Sequence, residues 1–168
     1  MTGRTVSRSH PGTRVPAADA VTDAVLTASR LLVGVSARSI AAVADSITLP
    51  QFRLLVVLST RGAVNMSVVA EQLDVNPSTA TRMVDRLIAA GMVSRDTNPA
   101  SRREVVVQLT AAGGDLVGRV TRLRRKEIAA IVARMPGKHR QELVDALEAF
   151  TEAGGEPSAA LPEGADWI

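Results

Sequence analysis

The chain has 168 residues, a formal net charge of +3 and no cysteine, and 46% of its residues are hydrophobic although only 2% are aromatic. The absence of cysteine excludes disulfides, thiolate metal ligands and thiol redox sensing. The two histidines, His10 and His139, lie far apart without a carboxylate cluster beside them, so we expect neither a metal site nor a cofactor. A core built from aliphatic side chains favours packed helices.

Residues 1–16 are rich in Thr, Ser, Gly, Pro and Arg, which predicts a disordered basic arm. The segment 17–47 follows, with a long helical pattern from about Ala17 to Ala44 that is unusually apolar. Core packing and a subunit interface would each explain this face. No charge-free apolar run of about 18 residues occurs, and no apolar segment follows the N-terminal arginines. We therefore expect no membrane helix, no secretory signal and a cytoplasmic protein.

Capping residues mark the start of the next helices. Thr48 and Gln51 form a capping-box pattern at the start of a helix from about Pro50 to Thr60. A shorter helix is predicted over Val68–Leu73, and Asp74 stands in the turn after it, where a left-handed backbone is expected. Two helices joined by so short a turn are typical of a helix-turn-helix.

The second helix of this motif begins at Asn76 and Pro77, a capping residue followed by a residue suited to the first turn. One side of it is apolar, and we expect that side to be buried. The other side carries the candidate DNA contacts Ser78, Thr79, Thr81, Arg82 and Arg86. Short hydroxyl side chains allow close approach to DNA, and arginine binds guanine or phosphate. Alternatively, the hydroxyls only support the first turn, and Arg82 pairs with Asp85.

A β-hairpin with an arginine-rich loop is predicted next. Its strands are Val93–Arg95 and Glu104–Leu109, and the second is dense in β-branched residues. From Asn76 to Arg103 the chain has five arginines and two aspartates, which favours a polyanionic partner. Arg102 and Arg103 suit insertion into a narrow minor groove. Arg103 could instead form a structural ion pair with Asp96.

Two further helices are predicted at about Ala111–Met135 and Lys138–Glu152, and residues 154–168 are interpreted as an acidic flexible tail. The first of these helices carries six basic residues. A solvated face, or pairing with acids of a partner subunit, is favoured for them over a phosphate-facing role. The fold class is therefore mainly α with a small β-hairpin wing.

This order of elements resembles the MarR family of bacterial transcription regulators. The segments that carry the resemblance are LPQFRLLVVL at 49–58, VVAEQLDVNPSTATRMVDRLIAAGMVSRD at 68–96 and RREVVVQLTAAG at 102–113. The resemblance implies a winged helix-turn-helix at 48–110, flanked by dimerisation helices at 17–47 and 111–153. It also implies a homodimer whose recognition helices enter successive major grooves of a pseudo-palindromic double-stranded operator.

The wing departs from the family's pattern, which often reads Asp-x-Arg-x-x-Arg. Asn98 and Ala100 replace the first two signature residues, and only Arg103 matches the last. Arg102 could replace the missing minor-groove arginine. Many family members also bind small aromatic or anionic effectors, for which Phe52 and Arg53 are candidates.

The leading hypothesis is a homodimeric, sequence-specific regulator, a repressor released from DNA by a small-molecule ligand. The alternative is a winged-helix protein-interaction module with weak or non-specific DNA binding. No Gly-rich phosphate loop, nucleophile elbow or His-centred constellation occurs, so we do not expect an enzyme.

Overall fold

The computed structural model describes residues 17–98 and 101–155, without the side chains of residue 98 and residues 101–104. The basic arm expected at 1–16 and all but two residues of the tail expected at 154–168 lie outside the described residues. The elements are α1 (Ala18–Ala41), α2 (Leu49–Arg61), β1 (Val64–Asn65), α3 (Met66–Leu73), α4 (Pro77–Ala89), β2 (Val93–Asn98), β3 (Ser101–Leu109), α5 (Ala111–Ala133) and α6 (Lys138–Ala153).

The chain divides into two compact units, residues 1–34 and 35–168, so the boundary falls inside α1. In the first unit the described helical residues expose the large apolar side chains Val21, Leu26, Leu31, Leu32 and Val33. By length and composition alone, α1 could cross a membrane, because an 18-residue window within it has a mean hydropathy of 1.3. It also carries four charged residues, two acidic and two basic. An apolar face that packs against protein produces the same composition.

In the second unit, α2 packs against α3 and α5, and α3 packs against α4. The capping box predicted at α2 is confirmed, because the Thr48 side chain accepts from the Gln51 amide and the Gln51 side chain accepts from the Thr48 amide. Leu54, Leu55 and Leu87 are among the largest side chains that are fully buried. The helices predicted from the apolar spacing are therefore present, with ends that differ by a few residues.

The sheet has three antiparallel strands in the order β1-β3-β2. Both hairpin strands are longer than predicted, and β1 was missed. β1 has only two residues, Val64 and Asn65, which pair with Val107 and Val106, so it is too short to show an alternating pattern. The hairpin register shifts after Thr97. Thr97 pairs with Val105, whereas Asn98 pairs with Ser101, so residues 102–104 of β3 lie between these two pairs.

Hydrogen bonds and close packing join the start of α5 to the turn after α4. The Thr110 hydroxyl donates to the Gly91 carbonyl at 2.7 Å, and the Thr110 amide donates to the Met92 carbonyl at 3.1 Å. Gly113 lies so close to this turn that an added Cβ would overlap the Met92 carbonyl oxygen. Glycine is therefore required here for a close backbone approach.

The apolar row of α6, which its helical spacing would place in a core, does not face the core of the described chain. Leu143, Val144, Leu147 and Phe150 are all exposed, and no residue of α6 is buried. The spacing correctly indicates an apolar face, because it follows the helical period. It does not indicate which chain covers that face.

Candidate nucleic-acid interface

The turn between α3 and α4 has helix-turn-helix geometry. Asp74 adopts the left-handed conformation with φ 51° and ψ 50°, as the sequence predicted, and is the only described non-glycine residue with a positive φ. The Val75 amide donates to the Ala70 carbonyl at 3.0 Å, which closes the turn. Asn76 then caps α4 by accepting from the Thr79 amide at 2.8 Å.

One face of α4 is buried, and this fixes which side chains the helix presents outward. Ala80, Val84 and Leu87 have no exposed surface, as predicted. The opposite side exposes Ser78, Thr81, Arg82 and Arg86, whereas Thr79 is half-buried. Four of the five candidate contacts on α4 are thus exposed at the surface.

The hydroxyls on this face are held by local hydrogen bonds. Ser78 donates to the Asn76 side chain at 2.8 Å, and Thr81 donates to the Pro77 carbonyl at 2.9 Å. These bonds agree with the alternative in which the hydroxyls support the first turn. Each hydroxyl oxygen can still accept a hydrogen bond, so support of the turn and contact with a ligand are compatible.

The two arginines of α4 have no carboxylate partner within the described ranges. Arg82 donates from Nε to the Ser78 carbonyl at 3.3 Å instead of pairing with Asp85. Asp85 pairs with Arg95 of β2, at 2.8 Å between Oδ1 and the guanidinium. The positive charges of Arg82 and Arg86 therefore remain available on the exposed face.

The wing is described only in part around its arginines. The side chains of Arg102 and Arg103 lie outside the described residues, so the predicted ion pair between Arg103 and Asp96 stays a prediction. The Asp96 carboxylate accepts from Gln108 at 2.6 Å and from Ser94 at 2.9 Å. These bonds stiffen the outer face of the hairpin.

Arg95 is a residue that the sequence analysis missed. It lies opposite Val107, which is fully buried, and two positions from Val93, so all three share the sheet face that meets α4. The pairing register is needed in addition to alternation along β2 to indicate this orientation.

The second unit contains a small cleft of about 270 Å³ beside α5. Its lining consists of Ala42, Val43, Arg119, Arg122 and Leu123. A cleft lined by two arginines and three apolar residues would suit a small anion with an apolar body. Of the ligand candidates from the sequence, Phe52 is in the core at 2% exposure and Arg53 is exposed on α2. Neither of them lines this cleft.

A helix-turn-helix followed by a hairpin that pairs with a third strand is a winged helix. Residues 47–105 match the model of the MarR family. The crystal structure of RV1404 from Mycobacterium tuberculosis is 53% identical, with 87% of this chain and 99% of that chain covered and a TM-score of 0.80. The structure of a MarR family protein from Bacillus stearothermophilus is 19% identical, with 84% and 100% covered and a TM-score of 0.71, which shows the shared fold. The chain belongs to the MarR family.

Curated relatives match over shorter stretches. The transcriptional repressor MdtR of Bacillus subtilis is 34% identical over 69 residues, which are 41% of this chain and 44% of MdtR. The matches to the first two curated relatives cover 39% and 46% of their lengths, so the chain spans less than half of each. Both of these relatives are named as HTH-type transcriptional regulators.

Proposed function

We propose that the chain is a homodimeric, sequence-specific DNA-binding transcriptional regulator of the cytoplasm, a repressor that a small-molecule ligand releases from DNA. The main support is the exposed face of α4, where Arg82 and Arg86 have no acidic partner in the described part of the chain. A rigid helix-turn-helix holds this face, and a hairpin wing lies beside it. Membership of a family whose curated members are named transcriptional regulators adds to this support.

In this proposal α4 is the recognition helix and lies in the major groove. Ser78, Thr79 and Thr81 contact phosphates and base edges near its N-terminal end, and Arg82 and Arg86 bind guanine or phosphate. Arg102 and Arg103 of the wing reach the adjacent minor groove, where a narrow groove concentrates negative potential.

The homodimer is supported by apolar side chains that the single chain leaves uncovered. Leu143, Val144, Leu147 and Phe150 form an exposed row on α6, and α1 exposes a second apolar set. An exposed apolar row such as that of α6 marks an interaction site. In this proposal, the matching surface of a second copy of the chain packs against the exposed row. A dimer of this form presents two recognition helices to the two halves of a pseudo-palindromic operator.

The effector is proposed to be a small anion, aromatic or otherwise apolar in its body, bound in the cleft beside Arg119 and Arg122. The cleft volume of about 270 Å³ is close to the lower end of the range for small-molecule sites. Release from DNA requires that the ligand bind one arrangement of the two recognition helices better than the other.

The test is binding of the purified protein to a DNA fragment that spans its own promoter, measured across a salt series. A dimer that neutralises several phosphates should lose affinity on the order of 10³-fold or more between 50 and 200 mM salt. Lack of any preference over scrambled DNA would overturn the regulator and favour the protein-interaction module. A monomeric mass at all concentrations would overturn the homodimer. Added small anions that leave affinity unchanged would remove the proposed effector site.

A further inference from the structure

We propose that the Asp85–Arg95 ion pair is a positioning device for DNA binding, which holds the wing at a fixed angle to the recognition helix. The pair joins α4 to β2 across a distance of 2.8 Å between Asp85 Oδ1 and the Arg95 guanidinium. Neither residue is among the candidate DNA contacts. This inference rests on the proposed function, and it assigns the two residues a role that acts through α4 and the wing.

The backbone geometry directs Arg95 at the helix. Arg95 lies opposite Val107 and shares a face with Val93, and these two valines are 0% and 2% exposed. This face of β2 is turned toward α4, because the Arg95 guanidinium reaches Asp85 on that helix. Asp85 stands on the exposed rim of α4, where the arginine side chain reaches it.

The location of the pair determines what it can control. The root of the hairpin is held by Val93 and Val107, which are buried in the core. At Thr97, two residues beyond Arg95, the strand is already exposed. The ion pair is therefore the last described side-chain bridge between β2 and the helix before the wing extends outward. Loss of this bridge would leave the root intact and free the outer hairpin to swing.

The magnitude of the interaction agrees with an orienting role better than with a stabilising one. The side chains of Asp85 and Arg95 are 52% and 34% exposed, so solvent screens their attraction. Exposed ion pairs contribute little to folding stability. A weak interaction near the base of the hairpin can still set the direction in which the hairpin extends. Arg102 and Arg103 belong to its outer part.

The sign of the charge provides a sharp test. Asp85 is an acid between Arg82 and Arg86 on the face proposed to meet a polyanion, so Asp85→Asn makes that face more positive. Electrostatics alone predicts tighter DNA binding for this variant. Positioning predicts weaker binding, by about three- to fivefold, because the wing contacts lose their fixed geometry.

The matched control is Glu71→Gln, which removes an exposed acid of α3 that has no ion pair among the described residues. Its affinity should equal or exceed that of the parent chain. The exchanged variant Asp85→Arg/Arg95→Asp keeps the net charge and should recover most of the lost affinity. Tighter or unchanged binding of Asp85→Asn, or an exchange that recovers nothing, would overturn the proposal.

A second readout does not depend on DNA. The chain has no cysteine, so the substitutions Glu71→Cys on α3 and Thr97→Cys on the wing introduce the only two sites for spin labels. The distance distribution between them should be narrow in the parent, broader with Asp85→Asn, and narrow again in the exchanged variant. An unchanged distribution, even with a lower melting temperature, would overturn the positioning role. A parent that fails to bind its promoter would refute the proposed function, and these distances would still decide the role of the pair.

Discussion

The recognition helix α4 and the terminal helix α6 both carry a row of apolar side chains, but a single chain covers only one of them. Ala80, Val84 and Leu87 of α4 have no exposed surface, whereas Phe150 of α6 is 55% exposed. The second unit therefore covers the apolar side of α4 with its own residues. Its terminal helix has an apolar face that the described residues leave uncovered, which is what a subunit interface requires.

The largest expected effect is that of a substitution in the exposed apolar row of α6 on dimerisation. Leu147→Asp should weaken dimerisation by at least about 100-fold, because each copy would bury an unpaired carboxylate in the proposed interface. Sedimentation velocity across a dilution series measures this change. The neighbouring change Glu148→Gln alters the charge of α6 without altering the apolar row, and should leave the dimer intact. An unaffected dimer in Leu147→Asp would remove α6 from the interface.

Substitutions in the buried face of α4 should lower the free energy of unfolding. Leu87→Ala removes a fully buried side chain of α4, and should lower the free energy of unfolding by about 2–5 kcal/mol. Urea unfolding followed by circular dichroism gives this value. Leu49→Ala, at a side chain that is 40% exposed, should cost less than about 1 kcal/mol. Equal losses at the two positions would contradict the assignment of the core.

The same substitution at two glycines of α5 should change the unfolding free energy in opposite directions. At Gly113 a methyl group would overlap the Met92 carbonyl, so Gly113→Ala should cost about 1–3 kcal/mol in unfolding free energy. At Gly118 the new Cβ meets only the end of the flexible Arg122 side chain, at 3.3 Å. Gly118→Ala should stabilise the helix by up to about 1 kcal/mol. Thermal unfolding of the two variants decides this, and stabilisation at both sites would refute the close approach.

Arg82→Ala tests the exposed face of α4 without disturbing either apolar row. Operator affinity should fall about tenfold, because a base or phosphate contact is lost, while the dimer stays intact. Electrophoretic mobility shift at fixed salt measures the affinity. Arg53→Ala removes an exposed arginine of α2 and serves as the control for net charge. Equal affinities for the two variants would exclude Arg82 as a specific contact.

The sequence predicted the helices and caps well because their causes are local. The capping box at Thr48, the cap at Asn76 and the left-handed Asp74 each depend on residues within one turn. The strand β1 and the pair between Asp85 and Arg95 depend on residues distant in the chain, which periodicity does not bring together. The apolar spacing of α6 indicates an apolar face, but it does not indicate whether the chain itself covers that face.

The candidate site was predictable to a similar degree. The exposed side of α4 followed from its apolar spacing, since burial of Ala80, Val84 and Leu87 leaves the opposite side outward. Arg95 required the strand register as well, because only its position opposite Val107 shows that it faces the helix. The cleft beside Arg119 joins α5 to residues that precede α2, so no single segment contains its pattern.

The smallest effect is expected for the ion pair between Arg38 and Glu127, although its distance of 2.7 Å is the shortest among the described salt bridges. The two side chains are 61% and 38% exposed, so water and salt screen the attraction, and Arg38→Ala should change the unfolding free energy by less than about 0.5 kcal/mol. Val35→Ala, three residues earlier on α1, removes a side chain with no exposed surface and should cost about 2 kcal/mol. Urea unfolding of both variants at two salt concentrations shows whether the buried valine or the exposed ion pair contributes more to the unfolding free energy. A larger loss at Arg38 would mean that this pair lies in a drier environment than the single chain provides, such as a contact with a second copy.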